Sequence, residues 1–232
     1  MDLIWDGLRQ SFWLLVRGDA RVYEIMLRSL LASGAATLLA LLIGVPAGTF
    51  LALRRFPGRA LVLSAVHSGM GLPPVVVGLV LSVLFWRTGP LGDLGLLYTV
   101  RAIVIAQTVI ATPIVTGFTV AGIQALDPRL RLQILALGAS RLQLLWLLLK
   151  EARLPLMAAV IAAFGAVISE VGAAIQVGSI IRGETELLTT ATVLATQRGD
   201  FGLAFALSVI LLALVFCVNA VFTLIQQRGP RP

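Results

Sequence analysis

Five stretches of this chain are long and apolar enough to cross a bilayer, and that pattern excludes most folds at once. They run from Leu30 to Leu53, Ala60 to Trp86, Val100 to Ile123, Leu156 to Val177 and Phe201 to Ile225. A helix rises 1.5 Å per residue, so about 20 residues span a hydrocarbon core of roughly 30 Å. Inside that core no water is available to backbone amides, which leaves helices as the way to pair them within each segment. Composition points the same way: 59% of the 232 residues are apolar and 12% charged, too little polarity for a water-facing surface of ordinary size. The expectation is an all-α polytopic membrane protein with about five transmembrane helices, forming a single domain over residues 1–232.

Orientation follows from the loops. Arg54, Arg55, Arg59, Arg129, Arg131, Arg141, Lys150, Arg153, Arg228 and Arg231 fall on one side of a five-span arrangement, which makes that side cytoplasmic. Against this, the tail carries Arg9, Arg17, Arg21 and Arg28 on the outer side. Residues Leu3 to Leu27 mix Trp5, Phe12, Trp13 and Tyr23 with charges. That suits an N-terminal helix lying in the interface, and leaves a short sixth span open. Asp2 and Asp6 precede the first Arg, unlike the basic start of a cleaved signal, so the first span is expected to direct insertion.

Within the spans, Gly44-Val-Pro-Ala-Gly48 and the Ala/Gly-rich stretch from Ala158 to Ala174 allow backbones to approach closely. Pro73-Pro74 and Pro113 predict kinks or breaks in the second and third spans. His67, the only histidine, is expected to be a packed or hydrogen-bonded helix residue. Cys217 is alone, so no internal disulfide or cysteine metal cluster is available. The net charge of +7 resides mostly in loops flanking the spans, and no nucleic-acid footprint is read. An intramembrane enzyme would need a nucleophile with a base, or a metal cluster, and neither is recognisable. A phosphate loop for nucleotide is also absent.

Between the third and fourth spans, residues of about 124–155 are too few for a catalytic domain. Asp127 and Pro128 predict a helix start, Leu130 to Leu137 its body and Gly138 its stop, with Ser140 capping a second helix through Trp146. Ala125-Leu-Asp-Pro128 followed by Leu135-Ala-Leu-Gly-Ala-Ser-Arg-Leu142 resembles the cytoplasmic coupling loop of ABC importer permeases. The resemblance assigns Gly138, Ala139, Ser140 and Arg141 to coupling with an ATPase. The chain departs from the family where a Glu-Ala-Ala usually stands, having Leu132-Gln133-Ile134, and where a Leu-Pro usually follows the second helix, having Leu149-Lys150. An ion-pair role for that glutamate is therefore missing.

Ile168-Ser-Glu-Val-Gly172, Val177-Gly-Ser-Ile180, Leu188-Thr-Thr-Ala-Thr192 and Arg198-Gly-Asp-Phe201 are similar to permeases of the tungstate branch, which groups with molybdate and sulfate permeases. The resemblance implies a multi-pass protein of a bacterial or archaeal cytoplasmic membrane. It also implies a second copy of the chain, two ATP-binding-cassette subunits that carry ATP and Mg, and an extracytoplasmic oxyanion-binding protein. No cofactor or metal is expected on this chain. The implied function is import of tungstate by alternating access. Molybdate, another small anion, or ion-driven secondary transport are the alternatives, although the matching broken repeats of many secondary transporters are not seen.

A tetrahedral dianion needs hydrogen-bond donors without a deep positive well. Ser179, Thr185, Thr189, Thr190 and Thr192 are candidates to line its pathway, with capping and turn formation as the competing role. Glu170 lies roughly 21 Å of helix beyond Leu156, deep in the outer half of the bilayer, where a structural role, pairing with Arg101, is expected.

Overall fold

The computed structural model describes Trp5, Arg9, residues 12–14 and residues 16–227. Helices α1 (Ala20–Leu53), α4 (Val100–Gln124) and α10 (Phe201–Gln227) are each long and apolar enough to cross a membrane. Two bent pairs raise the total to as many as five spans: α2 (Arg59–Met70) with α3 (Pro74–Phe85), and α6 (Arg141–Glu151) with α7 (Arg153–Ile168). Three shorter helices also lie among the described residues, α5 (Pro128–Ala136), α8 (Gly172–Gly178) and α9 (Leu188–Gln197). A 3-10 turn, Gly92–Leu94, lies between α3 and α4.

Of the interfacial helix expected over residues 3–27, residues 3, 4, 6–8, 10, 11 and 15 lie outside the described residues. Its last part is corrected: residues 20–27 are the opening turns of α1, which starts at Ala20 where Asp19 accepts a hydrogen bond from the Val22 amide. Arg21 and Arg28, which weakened the orientation reading, are both engaged there, Arg21 by a carboxylate and Arg28 by backbone carbonyls. Arg21 donates to the Glu186 carboxylate at 2.6 Å. Arg28 donates to the carbonyls of Glu186 and Gly183 at 3.1 and 2.7 Å. Arg54, Arg55 and Arg59, at the other end of α1, have no such carboxylate partner among the described residues.

Lipid tails are as apolar as leucine, so helix association inside a bilayer rests on close contact rather than on escape from water. The α1–α4 seam shows how. Buried Ala32, Ala36 and Ala40 on α1 and Ala102, Ala106 and Ala111 on α4 keep the axes close. A Cβ on Gly44 would lie 2.8 Å from Val115 Cγ1, and one on Gly48 2.7 Å from the Thr116 carbonyl oxygen. Thr49, Thr108, Thr116 and Thr119 each return the hydroxyl proton to the carbonyl four residues back, which makes them acceptable in an apolar seam.

Two expectations about breaks change. Pro113 does not interrupt α4, which stays helical from Val100 to Gln124, and its ring instead packs on Gly69 of α2. Pro73-Pro74 does break its span, with a 101° turn between α2 and α3. The fourth span, read as continuous from Leu156 to Val177, is two pieces: α7 ends at Ile168 and α8 begins at Gly172. Ser169 contributes to that end by donating its hydroxyl to the Gly165 carbonyl at 2.7 Å.

Candidate functional site

The two breaks meet. Val75, in the first turn of α3, sits where a Cβ on Gly172 at the start of α8 would be, 2.5 Å from its Cγ2. Further along, a Cβ on Gly78 would stand 2.8 Å from the Ala173 Cα, so α3 and α8 touch backbone to backbone. The Ser82 hydroxyl closes the pair on the Gln176 carbonyl at 2.8 Å. Glu170 holds the second break: its Oε1 accepts from the Ala173 amide at 2.9 Å, and its carbonyl accepts from the Thr189 hydroxyl at 3.1 Å. It is thus a buried capping group, as a structural role requires. The expected Arg101 partner is corrected, because Arg101 is exposed and the carboxylate is engaged by backbone instead. Gln107, buried in α4, braces the same break by donating Nε2 to the Val167 carbonyl at 2.9 Å. Its Oε1 has no partner among the described residues.

Most hydroxyls of the threonine cluster are engaged within the chain. Thr189, Thr190 and Thr192 donate their hydroxyl protons to the carbonyls of Glu170, Leu187 and Leu188. Thr185 is buried and accepts from the Ile181 amide at 3.0 Å. These groups cap and close the segment that follows α8, and the hydroxyl protons of Thr189, Thr190 and Thr192 are spent on its carbonyls. Ser179 differs, since it is half-buried at φ 58° and its hydroxyl has no partner among the described residues.

At the Arg-rich end, α5 and α6 form the hairpin that the sequence predicts. Asp127 caps α5 by accepting from the Arg129 amide at 2.8 Å. Gly138 ends it at φ +80°, a left-handed conformation that costs glycine least. The Gly138 amide reaches the Leu135 carbonyl and the Ala139 amide the Ile134 carbonyl, the paired bonds of a Schellman stop. Ser140 and Gln143 then form a capping box on α6, and α6 extends past Trp146 to Glu151. Ile134, Leu144 and Leu148 bury against Leu53 at the end of α1, which fixes the elbow to the bundle. Leu137 and Leu142, flanking the elbow, are 87% and 77% exposed, and Arg131 and Arg141 beside them are also exposed. The elbow is a rigid apolar knob with a basic rim and no reactive group.

Residues 44–229 match the model of the family described as binding-protein-dependent transport system inner membrane component. The chain belongs to that family. Over 228 residues this permease is 35% identical to the tungstate uptake system permease protein TupB of Peptoclostridium acidaminophilum, covering 98% of this chain and 100% of that one. Over 192 residues it is 31% identical to the molybdenum transport system permease protein ModB of Escherichia coli K12, covering 78% and 84%. The inward-facing MetNI methionine ABC transporter superposes with a TM-score of 0.72 at 22% identity, over 95% of this chain and 98% of that one. That last likeness is one of fold. The permease is therefore a multi-pass inner-membrane transport component and not an enzyme in itself, and membership of the family implies ATPase and binding-protein partners.

Sequence reasoning missed three features of this permease. The Arg21–Glu186 ion pair joins residues far apart in the chain, and no local pattern signals it. Gln107 was visible as a polar residue in an apolar run. His67, expected to be packed or hydrogen-bonded, is exposed on α2 without a partner among the described residues, and its spacing from Ser64 and Ser68 was the available signal.

Proposed function

We propose that this permease imports tungstate as its preferred cargo, with molybdate, an ion of the same shape and charge, as the competing one. The observation that carries the cargo is the 35% identity to a tungstate uptake permease over 98% of the chain. Two copies of the chain form the pathway, and each hairpin of α5 and α6 seats in an ATPase subunit. ATP and Mg are bound there, and an external binding protein delivers the anion. Gly138, Ala139, Ser140 and Arg141 form the seat. The rigid stop-and-cap geometry of the elbow supports this, because a coupling element must move as one body to transmit a displacement.

The path rests on the broken helices. Where α2 gives way to α3 and α7 to α8, the chain leaves regular helix at membrane depth, which bilayers tolerate only in contact with protein or a water-filled cavity. Closure of the ATPase pair drives the hairpins together and re-orients the spans about these breaks. Of the sequence candidates, Ser179 is retained as a donor toward the anion, while Thr185, Thr189, Thr190 and Thr192 frame the outer segment.

Elemental analysis of cells with and without the gene tests the reading, with limiting tungstate and molybdate given separately and together. Loss of tungsten uptake is expected. Loss of molybdenum alone would move the cargo, and unchanged uptake of both would refute oxyanion import by this chain.

A further inference from the structure

Helix α2 carries a polar face that the chain itself leaves unused. Viewed down the axis at 100° per residue, Gly69 marks the side packed on α4, where a Cβ would lie 2.9 Å from the Pro113 ring. Ser64, His67 and Ser68 fall on the other side within an arc of about 100°. All three are exposed, and none has a hydrogen-bond partner among the described residues. Several hydroxyls in the other long helices behave differently: Thr37, Thr108, Thr119 and Ser208 each donate to the carbonyl four residues back.

Roughly 12 Å of helix rise separates His67 from Arg59 at the basic end, which puts the face inside the hydrocarbon layer. An imidazole and two unspent hydroxyls against acyl chains would be costly, and ionisable groups at such depth turn toward protein or water. Residues 59–92 contain no Asp or Glu. The face therefore offers N–H and O–H donors with no carboxylate to repel an anion.

We propose that Ser64, His67 and Ser68 line the inner half of the anion route, where α2 of each copy faces the other across water, and that they donate hydrogen bonds to the passing oxyanion. This rests on the oxyanion-import reading above. Hydroxyl and imidazole donors suit conduction better than stacked guanidinium groups, since they replace part of the ion's hydration without holding it.

The test uses the complete transporter in its membrane, with Cys217→Ala as background and single Ser64→Cys, Ser68→Cys and Leu212→Cys variants. Leu212 is an exposed apolar residue of α10 and serves as the control. A small anionic thiosulfonate is expected to modify both serine positions but not Leu212→Cys, to be slowed by saturating tungstate, and to abolish tungstate uptake. Separately, His67→Leu should lower uptake about tenfold, and His67→Gln, which keeps an N–H donor, should recover most of it. Modification only by an uncharged, membrane-soluble maleimide would place the face against lipid and overturn the proposal. Immediate cross-linking between copies with the anionic reagent excluded would make it a dry contact, which also overturns it. If the cysteine variants fail to assemble, equal uptake by His67→Leu and wild type decides against the route. Anionic labelling in a transporter that moves neither tungstate nor molybdate would instead overturn the import reading and, with it, the cargo assigned to this face.

Discussion

Removing the Arg21 guanidinium should destabilise the permease more than removing both members of its ion pair. The Glu186 side chain is 1% exposed, its Oε1 lies 2.6 Å from Arg21 Nη2, and its Oε2 has no partner among the described residues. Breaking a buried pair by deleting one member typically costs about 3–5 kcal/mol, because the other charge is left uncompensated. Arg21 is itself 36% exposed, so water already screens part of the attraction, and about 2 kcal/mol is the figure expected for Arg21→Ala. In Arg21→Ala/Glu186→Gln the remaining side chain is a neutral amide, whose burial without a good partner costs on the order of 1 kcal/mol. The second substitution should thus recover about 1 kcal/mol of what the first removes. Thermal midpoints of the solubilised transporter, followed by fluorescence-detected size exclusion, give the order wild type, double variant, Arg21→Ala. A double variant no more stable than Arg21→Ala, or an Arg21→Ala loss equal to that of exposed Arg87→Ala, would refute the buried-charge reasoning.

The contact between the two breaks predicts that Gly78→Ala costs about 1–3 kcal/mol, since the added methyl meets the Ala173 backbone at 2.8 Å; Gly34→Ala, with open space around it, should be neutral or slightly stabilising in the same thermal assay. Ser140→Ala removes the α6 cap, worth about 1 kcal/mol. It should lower transport-coupled ATP hydrolysis while membrane abundance stays near wild type, and unchanged coupling would argue against the elbow as the seat. Glu170→Gln keeps an oxygen for the Ala173 amide and should retain most uptake. Glu170→Ala leaves that amide without its acceptor and should reduce folded protein in membranes, measured by quantitative immunoblot.

The apolar helices, the arginine-rich end and the two-helix hairpin were legible in the chain because each follows from local rules. Hydropathy over about 20 residues sets a span, loop arginines set its direction, and Asp127, Gly138 and Ser140 are caps whose action needs only the neighbouring residues. Even the Pro73-Pro74 break is local, since a proline pair removes two amide donors wherever it stands. The tertiary structure decided what depends on distant partners. Pro113 stays in a continuous helix with α2 packed against its ring, whereas the Ser169–Val171 break, without any proline, is held by Glu170, Gln107 and Thr189 from three parts of the chain. The threonines after α8 read as donors in sequence, but folding turned their hydroxyls onto nearby carbonyls. His67 reads as a packed residue until the helix is rotated into place against α4, which leaves it on the opposite side. A hydroxyl or imidazole has the same chemistry in either setting, and only the packing of its helix determines whether that chemistry is spent inside the fold or left for a ligand.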